Sequence, residues 1–200
     1  QASERRLVAP LLDDLRPGDL LMADRNFCTA ELLQEVGTRQ AAFLLRHHAA
    51  LSLISLKKAR PRGRCRTGKV LEQQVRLKCG LVCRAIIIVR DQPLKDGGRQ
   101  VILLTNVPPA DASARCLADL YLERWTIEEA FRQLTEYLSC EVRTLGYPKA
   151  ALFAFTVAVL AYNTLKCVQA ALNATHPQQQ NQWSAFYLAW EVKSTFDGMQ

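Results

Sequence analysis

Histidine is scarce in this chain: three in 200 residues, two of them adjacent at His47 and His48. No His-x3-His pair exists to complete a zinc set with Cys79 and Cys83. Those cysteines fall in a strand-like run, where residues four apart share a face but stand too far apart for one ion. The seven cysteines, at 28, 65, 79, 83, 116, 140 and 167, have an odd count and no regular spacing. That excludes a secreted disulfide framework, and no signal-peptide pattern stands ahead of them. The setting reads as reduced and cytoplasmic, with the cysteines as small core or surface residues. Internal repeats are absent. Long apolar runs are absent too: the thirteen residues from Ala150 to Tyr162 are too few to span a bilayer, and Asn163, Thr164 and Lys166 follow at once. A buried core helix is the expectation there, with no membrane partner.

What the chain has is a core. Apolar residues make up 49%, which excludes a disordered chain. The length suits one domain or a domain with a large insert. A net charge of +7 favours a polyanionic partner.

Along the chain, residues 5–16 suggest a short helix closed by Pro17-Gly18. Asp19 to Ala23 reads as a short buried strand that delivers Asp24 at its end. Thr29 can cap a helix from Ala30 to Val36, ended by Gly37, and Ala41 to Arg46 is another buried strand. Strand, helix, strand is half of an α/β core, residues 1–46. The period then changes. Three strand-like runs, Val70–Lys78, Leu81–Arg90 and Gln100–Asn106, with Asp96-Gly97-Gly98 as a hairpin signal, make residues 47–110 a β-rich insertion. Residues 57–69 hold seven basic side chains and no acidic one, and Pro61, Gly63 and Gly68 should keep that stretch irregular. Residues 111–175 read as helices: one capped by Asp111 or Ser113 and reaching Leu120, one running to about Leu138, and a long one opened by Pro148. Residues 176–200 read as a polar linker and a last amphipathic helix.

Two motifs stand out. Tyr121, Arg124 and Glu128 are i, i+3 and i+7, so on one helix they share a face. Ala-Asp24-Arg-Asn-Phe lies about a hundred residues earlier. A carboxylate at a strand's end and another on a later helix are parts from which a divalent-metal site for phosphoryl transfer can be built. The pattern Y-x2-R-x3-E resembles the signature of DDE transposases of bacterial insertion sequences, in the subgroup marked by Y-x2-R-x3-E-x6-K. Leu20 to Phe27 is similar to that family's second-aspartate motif, and Cys140 to Lys149 resembles its tail. The resemblance covers roughly residues 10 to 170. It implies a partial ribonuclease-H-like α/β core with a β-rich insertion and a C-terminal helical region.

The resemblance also implies chemistry. Asp24 and Glu128 would be catalytic metal ligands, oxygen-only and therefore suited to Mg²⁺ or Mn²⁺. Double-stranded DNA would be the partner, as transposon ends and target, with a dimer in the DNA complex. Tyr121 and Arg124 would meet phosphates of the cleaved strand. Arg60, Arg62, Arg64 and Arg66 of the basic stretch offer phosphate contacts without base readout. No aromatic residue lies between Arg46 and Arg115, so no base-stacking role carries over. Thr135 stands where the signature has lysine, so no phosphate contact carries over there either.

Each assignment has a plainer rival. Asp24 could be a turn or capping residue, Glu128 a partner for Arg124 or Arg132 on a wet face, Tyr121 and Arg124 packing beside Trp125, and the basic stretch a solvated loop. The first aspartate of the family should precede Asp24 by roughly 40 residues, given two strands, a helix and their connections. Only 23 residues precede it, so Asp13, Asp14 and Asp19 are too close. The sequence thus reads as a C-terminal transposase fragment, inactive alone. A catalytically dead DNA-binding remnant, or a nuclease of the same fold that does not join strands, are the alternatives.

Overall fold

The computed structural model describes residues 7–94, 97–137, 147–177 and 184–197. They fall into two compact units, Gln1–Arg124 and Trp125–Gln200. A 3-10 turn, Ala9–Asp14, stands where a short helix is expected. The first unit is built on a seven-stranded mixed sheet. β1 (Leu20–Ala23) is an edge strand and runs parallel to β2 (Ala42–Arg46), with Ala23 opposite Leu45. A parallel pair needs a crossover, and α1 (Ala30–Thr38) supplies it. The Thr29 hydroxyl caps α1 by accepting from the Leu32 N–H at 3.2 Å. Gly37 does not end α1. The closure falls at Gln40, which takes the left-handed conformation at φ 56°. Its N–H donates to the Gly37 carbonyl and that of Ala41 to the Val36 carbonyl, a Schellman closure with glutamine in the usual glycine position.

The remaining strands are antiparallel and extend the same sheet. β7 (Gln100–Thr105) pairs with β2, β6 (Val82–Arg90) with β7, and β5 (Gly68–Leu77) with β6. Asp96 of the expected hairpin signal lies outside the described residues. On the far edge of β5 two short strands take turns, β3 (Leu53–Ser55) and β4 (Arg60–Cys65). The basic stretch is therefore not irregular, contrary to expectation. Pro61 fits because the strand is at an edge, and Gly63, at φ 91°, absorbs a bulge between Pro61 and Arg64. Gly68 is required for another reason: a Cβ there would sit 2.1 Å from the Val89 carbonyl oxygen.

Alternation along the strands makes two cores, one on each face. Phe43, Leu45, Ala85 and Leu104 pack with Leu33 and Val36 of α1. Leu44, Ile86, Ile88 and Leu103 pack on the opposite face with Leu117, Ala118 and Tyr121 of α2 (Ala114–Leu122). The Ser113 hydroxyl caps α2 by accepting from the Cys116 N–H at 3.1 Å. Each fully buried leucine contributes about 1.5–3 kcal/mol of transfer free energy. Cys28, Cys65 and Cys83 are buried in these cores, while Cys79, Cys116 and Cys167 are exposed.

The second unit is helical: α3 (Trp125–Arg132), a π-helical turn (Gln133–Tyr137), α4 (Pro148–Thr175) and α5 (Ala185–Asp197). The first of these stops short of Leu138, which lies outside the described residues, as do residues 140–146 of the expected tail. At 28 residues α4 is long and apolar enough to cross a membrane by length and composition, so the short apolar run understated it. It is not the buried helix expected. Only Ala158 is buried, and Leu152, Phe153 and Leu160 are exposed. The reason is geometric: α4 is long and apolar, and among the described residues of its unit it packs chiefly against α5 and the π-helical turn.

Candidate active site

Asp24 follows β1 in extended conformation, φ −77° and ψ 170°, so it continues the strand's alternation. It therefore shares a face with Met22, which packs in the same core as α2. Asp24 also precedes a 3-10 turn, Arg25–Phe27, at its cap position, yet its side chain makes no capping hydrogen bond. The backbone does that work: the Asp24 carbonyl accepts from the Phe27 N–H at 3.0 Å. The carboxylate is left half-buried at the C-terminal end of a parallel strand pair, where open α/β sheets bind ligands.

Tyr121 reaches this point from the last turn of α2. Its hydroxyl donates to the Ala23 carbonyl at 3.3 Å, one residue before Asp24. The Arg124 guanidinium lies 5.7 Å from the Tyr121 ring centre. Burial pushes the Tyr121 hydroxyl up to about 12. Arg124 pulls the other way, by charge and by a side-chain hydrogen bond, and the Asp24 charge raises it further. Tyr121 is thus a neutral donor at any physiological pH. The structure brings together Asp24, Tyr121 and Arg124, 97 to 100 residues apart in sequence, in one unit.

Sequence reasoning missed Arg46. It ends β2, one step past the Ala23–Leu45 pair, and its charge also bears on Tyr121. The signal was present: in a parallel pair, a cation closing the second strand stands level with the acid closing the first.

The signature is not one uninterrupted helix. After Tyr121 the hydrogen bonding tightens, with the N–H groups of Glu123 and Arg124 donating three residues back, to Leu120 and Tyr121. Glu123 and Arg124 form a turn, and the next helix starts at Trp125. Glu128 lies exposed in the first turn of α3, in the second unit. Thr135, at the signature's lysine position, sits in the π-helical turn and donates its hydroxyl to the Phe131 and Arg132 carbonyls.

The four arginines of the basic stretch divide. Arg60 is exposed. Arg62 donates to Glu72 at 2.7 Å and Arg64 to Asp91 at 2.6 Å. Arg66 docks the β4–β5 hairpin on α2: its backbone N–H donates to the Asp119 carboxylate, and its side chain to the Asp119 carbonyl and to Glu123. Three of the four are thus engaged in holding the fold together.

A family model described as Transposase DDE domain matches residues 1–164, most of the chain. This chain belongs to the DDE transposase family. Comparison with curated proteins returns no match. DDE transposases act on DNA and use divalent metal ions. In this DDE domain the Asp24 carboxylate fits such an ion chemically, being a hard oxygen donor not used for capping. Among the described residues no three His, Cys, Asp or Glu side chains form a metal-binding group.

Proposed function

We propose that this chain supplies the second aspartate, Asp24, and the glutamate, Glu128, of a three-carboxylate phosphoryl-transfer site in a ribonuclease-H-like transposase domain. The subgroup is that of Y-x2-R-x3-E-x6-K. The observation that carries this reading is the Tyr121 hydrogen bond to Ala23. It joins the two halves of the motif at one point of the sheet, beside a carboxylate spared from capping. Bound at Asp24 and Glu128, Mg²⁺ or Mn²⁺ would supply activation of the attacking oxygen and neutralisation of charge on the leaving one. Around it, Tyr121 donates a hydrogen bond, and Arg124 and Arg46 present cations to phosphate oxygens of the strand being cut. The reaction is in-line substitution at phosphorus. Water opens the bond at the transposon end, releasing a 3′-hydroxyl, and that hydroxyl then attacks target DNA.

The third carboxylate comes from outside the described residues. Asp19 lies at the opposite end of β1, roughly 16 Å from Asp24 at about 3.3 Å per residue. Asp13 is bonded to Arg39 at 3.0 Å. Partners are double-stranded DNA and a second protomer in the DNA complex, and the setting is the cytoplasm. The alternative of an inactive DNA-binding remnant draws on Thr135 in place of the signature's lysine. Nicking of transposon-end DNA by this transposase separates the two readings. Asp24→Ala or Glu128→Ala should abolish nicking and leave end binding largely intact. Retained nicking in Glu128→Ala would remove the glutamate's role. A readout without turnover is Fe²⁺ substitution. Hydroxyl radicals generated at the ion should cut the backbone near both Asp24 and Glu128, and cuts near one alone would break the pair.

A further inference from the structure

A cavity of about 340 Å³ opens on the far edge of the sheet, at the opposite end of the strand order from β1. It exists because β5 changes partner. β3 leaves it after Ser55, opposite Val75, and β4 joins it at Arg60, opposite Glu72. Gln73 and Gln74 face the interval, which residues 56–59 bridge. That bridge carries Lys57 and Lys58.

The charge there is one-sided. Lys57, Lys58, Arg60, Arg62 and Arg84 line the cavity against a single carboxylate, Glu72. Glu72 is already spent. It accepts from Arg84 at 2.5 Å and from Arg62 at 2.7 Å. Burial opposes its ionisation, but the two arginines outweigh that and hold its carboxyl below the usual range. Arg84 is nine-tenths buried and anchored by the Val107 and Ala112 carbonyls, yet its Nη2 has no partner. Lys57, Lys58 and Arg60 are exposed and make no ion pair among the described residues. Three exposed cations therefore stand over a buried, cationic wall, with no second carboxylate in the cavity lining to meet them.

We infer that this cavity seats a phosphate group of the DNA backbone, outside the cleavage site and blind to base sequence. The class follows from the donors. Guanidinium forks and ammonium groups match phosphate oxygens. The insertion lacks any aromatic residue between Arg46 and Arg115 on which a base could stack. The inference rests on the DNA reading above and sharpens it. Phosphate contact moves from the arginines tied to Asp91, Asp119 and Glu123 to Lys57, Lys58 and Arg60.

The test is binding of the 200-residue chain to a random-sequence duplex over a range of KCl concentrations. Lys57→Gln, Lys58→Gln and Arg60→Gln combined should flatten the log–log salt slope by about 0.9, the value for one phosphate contact. Arg64→Gln should leave it unchanged, and the charge-conserving Lys57→Arg, Lys58→Arg, Arg60→Lys set should retain it. These side chains are exposed, so thermal melts should coincide. An unchanged slope in the glutamine variant, with wild-type binding intact, would overturn the seat and leave the DNA reading standing. No binding by the wild type would overturn both. A parallel titration with inorganic phosphate distinguishes the source. Tight binding of free phosphate that the glutamine variant loses, without any change in its DNA slope, would also overturn a backbone seat.

Discussion

Tyr121 shows what one side chain contributes when its polar end has a single buried acceptor. Replacing it with phenylalanine keeps the ring in the core and removes the donor to Ala23. The net cost should be about 1 kcal/mol at neutral pH, the usual worth of such a bond. Its pH dependence has a definite sign. The folded hydroxyl titrates near 12, above the ordinary value near 10, so the folded state holds the proton more tightly. That contribution is complete below pH 10 and is lost as pH rises toward 12, about 2–3 kcal/mol in all. Urea melts between pH 9 and 11.5 should show a steeper fall for wild type than for Tyr121→Phe. Parallel curves would mean the hydroxyl is not buried. Cys83, whose thiol burial also pushes up to about 12, acts in the same direction and is common to both proteins. At Glu72 the argument concerns charge. Glu72→Gln leaves the nine-tenths buried Arg84 without its counter-ion and should cost about 3 kcal/mol in chemical denaturation. A loss under 1 kcal/mol would show that the pair is solvated.

Among the elements, the legible ones are those whose burial pattern is local. β2, β6 and β7 appear in the sequence as apolar runs because residues on both their faces are buried, and Thr29 and Pro148 mark helix starts by their own chemistry; β1, expected to be buried, is an edge strand whose residues are only partly covered. β4 was illegible because what makes it a strand is not in it. Its residues are almost all charged, proline or glycine, and β5 alone supplies its hydrogen-bond partners. The break after Tyr121 was equally hidden, since Leu122-Glu-Arg-Trp-Thr contains neither glycine nor proline. The site was half legible. Motif spacing pointed to Asp24, Tyr121 and Arg124, but the roles of Arg46 and Arg66 depend on register and on a hairpin folding back. The β4–β5 hairpin can be tested at Gly68, where an added Cβ meets backbone rather than a movable side chain. Gly68→Ala should destabilise the chain by about 1–3 kcal/mol, as overpacking does, and speed amide exchange in β4 first. Unchanged protection there would mean that β5 shifts away from Val89 of β6 without disturbing β4.

At the scale of the whole molecule, the question is whether 200 residues suffice for chemistry. The scaffold around Asp24 is present: the sheet fixes it, a core on one face holds Tyr121 against the strand end, and the basic far edge is stitched by Glu72. A full ligand set is not assembled among the described residues. No three acidic, histidine or cysteine side chains converge among the described residues, and the nearest upstream acids sit at the wrong end of β1 or pair with Arg39. Phosphoryl transfer by two ions about 4 Å apart needs converging carboxylates to hold both. The chain by itself should therefore bind duplex DNA through its basic edge and leave it uncut. Incubating the purified chain with supercoiled plasmid and Mn²⁺ measures this directly, with a gel shift on the same sample to confirm binding. Metal-dependent nicking that vanishes in Asp24→Ala would mean that a third ligand lies within these residues. The search for it would then begin among the acids outside the described segments.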